Sequence, residues 1–179
     1  MHFFSTQSRI NSIYLTFLST VKGLCYIIFC PEAKDCIPAK LQKRYGNAVT
    51  LEENAEIHGP VITQIREYLA GRRRIFSVPM DVTGTTFQKT VWEAIRAIPY
   101  GETRSYQEIA RAVGKVEAAR AVGQATGANP LPLIIPCHRV IGSTGKLVGF
   151  SSGLNLKIKL LTLENAYKEK RSCPFPKPD

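Results

Sequence analysis

The hydrophobic pattern of this chain changes at about Thr85, and this change constrains the fold more than any single motif. Before it, two runs rich in β-branched and aromatic residues, Ile13–Leu18 and Leu24–Phe29, flank a short polar turn and predict a β-hairpin. Ile75–Val78 predicts another short strand. After it, apolar residues recur at helical spacing. The pattern predicts an α+β chain with an N-terminal unit over 1–84, a mostly helical unit over 85–166 and a tail over 167–179.

The N-terminal unit also contains one segment with helical periodicity. In "GPVITQIREYLAG" the apolar residues recur every three or four positions, and Gly71 provides a stop. Pro60 precedes the periodic run, which predicts that it occupies the first turn of the helix, where its missing N–H costs nothing.

Two short helices joined by a turn with glycine follow in the second unit. In "TRSYQEIARAVG", Ser105 and Glu108 have the spacing of a capping box and Gly114 ends the helix. The next segment, "KVEAARAVGQATGAN", is short and dense in alanine and glycine. Two such helices are typical of a helix-turn-helix.

The second of these helices is unusual for an element that reads base sequence. Its long polar groups are Arg120 and Gln124, whereas its other positions are mostly alanine and glycine. Small residues allow a backbone to approach the minor groove closely. They also allow tight packing against a neighbouring helix, and the residues alone leave both interpretations open.

The charge of the chain favours a polyanionic partner, and its apolar runs are too short for a membrane-spanning protein. With 24 Lys and Arg against 14 Asp and Glu, the net charge is +10, which favours nucleic acid through counterion release. No apolar run approaches the roughly 20 residues of a membrane span. We therefore expect a cytoplasmic protein without membrane contact.

The cysteines do not form a metal-binding pattern. They number five and include no C-x-x-C pair of the kind that zinc sites use. We expect no metal and no cofactor, and we expect small apolar roles for most of the set, which comprises Cys25, Cys30, Cys36, Cys137 and Cys173.

One stretch, "NPLPLIIPCHRV" at Asn129–Val140, has the features of a nucleophilic site. Its prolines predict a stiff, extended entry to Cys137, because each fixes φ and biases the preceding residue toward extended geometry. A cysteine attacks as its thiolate and needs a base or a positive field. His138 is adjacent in sequence, so it would act through a bridging water. Glu164, at the end of an apolar helix, is the candidate for orienting the imidazole.

Together these motifs resemble the O6-alkylguanine-DNA alkyltransferases (methylated-DNA–protein-cysteine methyltransferases). The likeness runs from about Thr86 to Glu164 and lies in "PYGETRSYQEIA", "AARAVG", "NPLPL" and "IPCHRV". It implies a ribonuclease-H-like small sheet with helices, then a mostly helical domain with a winged-helix-like helix-turn-helix. It also implies a monomeric DNA repair protein that flips O6-alkylguanine, and also O4-alkylthymine, out of double-stranded DNA from the minor groove. The alkyl group would pass irreversibly to the protein's own cysteine.

The resemblance implies a role for each catalytic residue. Cys137 would accept the alkyl group, His138 would serve as its base through water, and Glu164 would hold His138. Asn129 would brace the turn that carries the active-site loop. Tyr106 would donate a proton toward N3 of the departing guanine.

DNA contacts and base recognition are implied in the same way. Arg120 would enter the base stack where the damaged nucleotide has been flipped out. Ser152 stands where the family commonly has glycine, which predicts a narrower loop. The other implied DNA contacts are Ser105, Ala119, Gly123 and Gln124, and the implied pocket residues are Pro132, Val140, Val148, Phe150 and Ser151.

Three other classes of protein compete with this interpretation. A non-catalytic alkyltransferase-like protein would bind lesions but typically replaces the cysteine, and Cys137 is present. A transcription factor with a redox-active thiol would need long polar side chains on its second helix. A cysteine hydrolase would need an oxyanion hole and repeated turnover, which the sequence leaves open.

Overall fold

The computed structural model describes residues 1–29, 46, 49–150 and 152–167. The chain divides into two compact units, Met1–Val82 and Thr83–Asp179. The first is a small sheet with a helix and the second is mostly helical, so the predicted α+β class is confirmed. Among the described residues, none of the helices has the length and apolar character needed to cross a bilayer.

A four-stranded sheet forms the first unit. Its order is β3-β2-β1-β4, with antiparallel pairing except between β1 and β4, which run parallel. The predicted hairpin is confirmed as β2 and β3, whereas β1 and β4 were not predicted. The strands are β1 (His2–Ile10), β2 (Ile13–Thr20), β3 (Gly23–Phe29) and β4 (Thr50–Glu53).

The helix of this unit, α1 (Ala55–Leu69), begins earlier than the sequence pattern predicts. Asn54 caps it, because its Oδ1 accepts a hydrogen bond from the Ile57 backbone N–H at 3.2 Å. Pro60 therefore lies inside the helix and not in its first turn, so that prediction was wrong. The capping residue decided where the helix starts, and the proline is tolerated within it.

The strand predicted at Ile75–Val78 does not form. The side chain of Gln64 binds the backbone of Ser77 instead: Nε2 donates to the Ser77 carbonyl at 2.9 Å, and Oε1 accepts from its N–H at 2.8 Å. These bonds replace a strand ladder. The chain that follows this segment reaches the sheet at β3, where Met80 forms an isolated bridge with Leu24.

A buried histidine joins α1 to the sheet. His58 is 1% exposed, and its two ring nitrogens lie 2.9 Å from Ser19 Oγ and 2.8 Å from Thr6 Oγ1. Burial lowers the pKa of His58 to about 4.

The apolar role expected for most of the cysteines is seen for Cys25, which lies in a core cluster with Phe3 and Leu18. Cys30, Cys36 and Cys173 lie outside the described residues.

The second unit consists of short helices around a two-stranded ladder. Helix α2 packs against α4 and α3, and α5 packs against the 3-10 turn. Trp92 on α2 donates from Nε1 to the Ala125 carbonyl on α4 at 2.8 Å, which fixes α4 in place. The elements are α2 (Thr86–Arg96), β5 (Arg104–Ser105), α3 (Tyr106–Ala112), α4 (Ala119–Gly127), a 3-10 turn (Cys137–Arg139), β6 (Val140–Ile141) and α5 (Leu154–Leu163).

Two local features place the start of the helix-turn-helix beside the Cys-His segment. The predicted capping box is confirmed: Ser105 Oγ accepts from the Glu108 N–H, and the Glu108 carboxylate accepts from the Ser105 N–H. Strand β5 pairs in parallel with β6, with Arg104 opposite Val140. Tyr106, which follows β5, is therefore held close to the turn that precedes β6.

We predict that His58 makes the first unit sensitive to acid. Its folded pKa of about 4 lies below the ordinary value of 6.5, so the unfolded chain binds the extra proton first and stability falls as the pH drops from 6.5 toward 4. The loss should approach about 3 kcal/mol from this group. The free energy of unfolding, measured with urea at a series of pH values, should have a shallower slope against pH for His58→Gln than for the wild type. An unchanged slope in His58→Gln would refute the assignment.

Candidate active site

The segment before Cys137 is a tight turn and not the extended entry that its prolines predict. Leu133 has a φ of 79°, in the left-handed region, and Pro132 bridges to Ile135 across the turn. The Asn129 side chain donates to the Ile135 carbonyl at 2.8 Å and accepts from the Leu131 N–H at 2.9 Å. These two bonds outweigh the proline preference and close the loop. The geometry suits the bracing role implied for Asn129.

Cys137 begins the 3-10 turn and is buried, with 4% of its surface exposed. Burial raises the pKa of its thiol, whereas the Asn129 amide and the charge of Lys157 act in the opposite direction. The resting group is therefore a neutral thiol. It needs a proton acceptor to become a nucleophile.

The groups behind the thiol supply a suitable base. His138 is fully buried, and its Nε2 lies 3.0 Å from Glu164 Oε1. Burial lowers the pKa of His138, so the ring is neutral. The carboxylate can only accept a hydrogen bond, which assigns the proton to Nε2 and leaves the lone pair on Nδ1. Nδ1 is thus the basic nitrogen of the site.

Arg139 is a functional residue that the sequence analysis missed. Its guanidinium donates to both Glu164 oxygens, at 2.9 and 2.8 Å, and to the Ile98 carbonyl at 2.6 Å. Burial raises the pKa of Glu164, but hydrogen bonds from His138 and Arg139 and the positive charge of Arg139 outweigh it and bring the pKa to about 2. The carboxylate stays ionised and holds both neighbours.

A cavity of about 300 Å³ opens in front of Cys137. Of the predicted pocket residues, Phe150 lines it and Ser151 lies outside the described residues. The cavity is not lined by Pro132, Val140 or Val148. Pro132 is buried in the turn, Val140 pairs in β6, and Val148 is exposed. The lining consists of Tyr106, Gly123, Thr126, Gly127, Cys137, Gly149 and Phe150.

Tyr106 forms one wall of the cavity. Its hydroxyl donates to the Val148 carbonyl at 3.3 Å. Burial, followed by the nearby Cys137, raises the pKa of the phenol, so Tyr106 keeps its proton at neutral pH. It can therefore act as a proton donor once a ligand replaces the Val148 carbonyl.

Lys157 is the second residue that the sequence analysis missed. It lies on α5, is fully buried, and its Nζ contacts the carbonyls of Val140 and Val148 at 2.6 and 3.0 Å. Lysine is rarely buried. Its placement between the apolar residues Leu156 and Ile158 was the only sequence signal available.

The second helix of the helix-turn-helix presents its long side chains to solvent. Arg120 and Gln124 are exposed, Ala119 is half-buried, and Gly123 faces the cavity. The hydroxyl of Ser105 is bonded to Glu108 in the capping box. Of the implied DNA contacts, Arg120 and Gln124 are thus the long groups with free access to a ligand surface.

Comparison with known proteins agrees with this geometry. Residues 86–166 match the model of the 6-O-methylguanine DNA methyltransferase DNA binding domain, and residues 13–82 match that of its ribonuclease-like domain. The chain belongs to the 6-O-methylguanine DNA methyltransferase family. The predicted resemblance is confirmed.

Individual relatives span most of the chain. The inducible methylated-DNA–protein-cysteine methyltransferase of Bacillus subtilis is 39% identical over 87% of this chain and 87% of its own. The Methanosarcina barkeri methylated-DNA–protein-cysteine methyltransferase is 51% identical over 92% of this chain and 97% of its own length. Mycobacterium tuberculosis OGT in complex with DNA superposes with a TM-score of 0.75 at 38% identity, covering 92% and 93%.

We predict that Glu164 is the main stabilising residue of this methyltransferase site. Glu164→Ala leaves the Arg139 guanidinium buried without its carboxylate, so the free energy of unfolding should fall by about 3–5 kcal/mol. Glu117→Ala, which removes an exposed carboxylate from the same unit, should change it by less than about 0.5 kcal/mol. Chemical denaturation measures both. Equal effects of the two substitutions would show that the network contributes little.

Proposed function

We propose that this protein repairs O6-alkylguanine in double-stranded DNA by moving the alkyl group irreversibly onto the sulfur of Cys137. The observation that carries the proposal is a buried thiol at the cavity wall, followed directly in the chain by a histidine that is hydrogen-bonded to the Glu164 carboxylate. The DNA binding domain of residues 86–166 contains the thiol, the pair and the helix-turn-helix together.

The attack begins with loss of the thiol proton. His138 Nδ1 accepts this proton through a bridging water, while Glu164 accepts the Nε2–H bond and stabilises the imidazolium that forms. The sulfur then attacks the alkyl carbon in line with the bond to O6. One C–S bond forms as the C–O bond breaks, and the electron pair of that bond leaves with the guanine.

The leaving group needs a proton of its own. Tyr106 keeps its phenol proton because burial raises its pKa, and it donates toward N3 of guanine as negative charge develops there. The proton that the thiol loses balances the proton that the guanine gains, once His138 and Tyr106 have returned to their resting protonation states. The products are S-alkylcysteine and unmodified guanine.

In this proposal the cavity of about 300 Å³ receives one base at a time, so the damaged nucleotide must leave the stack. Helix α4 approaches the minor groove through its small residues, and Arg120, exposed on its first turn, fills the gap in the stack. The net charge of +10 provides sequence-independent attraction to phosphates. O4-alkylthymine presents the same alkyl–oxygen bond and is a second substrate on this account. A free thiol is maintained in a reducing compartment, so we assign the protein to the cytoplasm.

We predict a yield of one repaired guanine for each protein molecule. A thioether is a poor leaving group, and no cofactor or resolving thiol enters this scheme. With an excess of O6-methylguanine duplex, the count of repaired bases should stop at one equivalent however long the reaction runs. Cys137→Ser should abolish transfer and leave DNA binding largely intact.

The matched control is Cys25→Ala, which removes a thiol from the core of the first unit. It should keep the one-equivalent yield. Yields that rise well above one equivalent, or transfer that survives in Cys137→Ser, would contradict the mechanism.

We further predict that Arg120 and Tyr106 separate base flipping from chemistry. Arg120→Ala should slow repair of duplex DNA by roughly ten- to hundredfold, since unstacking costs a few kcal/mol, and barely change transfer from free O6-benzylguanine. Tyr106→Phe should slow both reactions, because it removes the proton donor. Single-turnover rates measure both effects.

The control for this comparison is Arg96→Ala, an exposed arginine on α2, which should leave both rates near those of the wild type. If Arg120→Ala slowed both substrates equally, the residue would serve the pocket or the fold and not the flipped state.

A further inference from the structure

The ammonium group of Lys157 joins two segments that are far apart in the site. Its Nζ lies 2.6 Å from the carbonyl of Val140, 3.0 Å from that of Val148 and 3.4 Å from that of Gly149. Val140 directly follows the turn that carries the thiol. Gly149 lines the cavity beside Phe150. One buried cation therefore holds the cavity loop against the nucleophile segment.

We propose that Lys157 is a positioning residue for alkyl transfer, whose protonated side chain fixes the loop of Val148 and Gly149 against the Cys137 segment and thereby shapes the base pocket. The proposal rests on the function proposed above. Tyr106 contributes to the same arrangement, because its hydroxyl donates to the Val148 carbonyl that Lys157 also binds.

The number of donors on Lys157 depends on its protonation state. An ammonium group has three N–H donors for the three carbonyls, whereas a neutral amine has two and turns a lone pair toward the third. Burial lowers the pKa of Lys157 to about 8, although the nearby Cys137 acts to raise it. The loop should therefore be held fully below pH 8 and less firmly above it.

The other titrating groups around Lys157 predict a different pH dependence. Cys137 and His138 face it from the 3-10 turn, and Tyr106 reaches it through the Val148 carbonyl. Burial raises the pKa of the thiol, so alkaline pH favours the thiolate and accelerates attack. Burial lowers the pKa of His138, which is already neutral at pH 7. The raised pKa of Tyr106 keeps the phenol protonated. A fall in rate just above pH 8 would thus report on Lys157.

Unfolding does not produce the same fall. The folded pKa of Lys157, about 8, lies below its ordinary value of 10.5. Between these values the unfolded chain binds a proton that the folded chain does not, so the contribution of Lys157 to stability increases with pH over that window. Activity and the stability contribution of this group therefore change in opposite directions.

The test is the pH dependence of single-turnover transfer from O6-benzylguanine, which removes DNA binding from the measurement. Between about pH 6 and 9.5 the wild type should pass through a maximum and decline above pH 8. Lys157→Met should be slower at pH 7 by about ten- to hundredfold, as expected for lost charged hydrogen bonds, and should show no alkaline decline. Lys159→Met, an exposed lysine on the same helix, should reproduce the wild-type profile.

Hydrogen exchange of the wild type gives a second measurement that requires no variant. The protection factor of the Gly153 amide, which donates to the Phe150 carbonyl at 3.0 Å, should fall above pH 8, while those of the buried α2 amides persist. A wild-type rate that rises steadily to pH 9.5, or an alkaline decline that survives in Lys157→Met, would overturn the positioning role while leaving alkyl transfer intact. A wild type that fails to alkylate Cys137 at every pH would instead overturn the proposed function as well.

Discussion

The active site depends on the hydrogen bonds that the buried carboxylate of Glu164 accepts. This carboxylate accepts hydrogen bonds from His138, from Arg139 and from the backbone of Gly101. Because it ends α5, it ties that helix to the 3-10 turn and to the chain after α2. A charge in this position is favourable only with its partners in place. The same contacts that stabilise the turn also set the tautomer of the base.

The remaining parts of the site are positioned relative to that turn by short-range contacts. The ladder of β5 and β6 brings Tyr106 beside the thiol, and the bond from Trp92 to Ala125 holds α4 so that Gly123 and Thr126 face the cavity. Helix α4 and the nucleophile thus share one framework. This explains how a base displaced from a duplex bound on α4 would arrive at Cys137 without a large rearrangement of the fold.

Sequence reasoning succeeded where the determinant was local or carried by a motif. The Ser105 cap needs only a partner three residues away, and the Cys-His segment was recognised from its neighbours. It failed where tertiary contacts decide: Gln64 prevented the strand at Ile75–Val78, and the Asn129 amide closed a turn that prolines alone would extend. Lys157 was missed because residue type argues for exposure, and its three carbonyl partners come together only after folding.

The most direct test of the account is to locate the transferred group. A duplex with a deuterated O6-methylguanine would be mixed with the protein, and the tryptic peptides would be analysed by mass spectrometry. Residues 121–139 form one such peptide, with Cys137 as its sole cysteine. The account predicts a single labelled methyl on that cysteine, in proportion to the guanine repaired. Label on another residue, or repaired guanine without labelled protein, would contradict it.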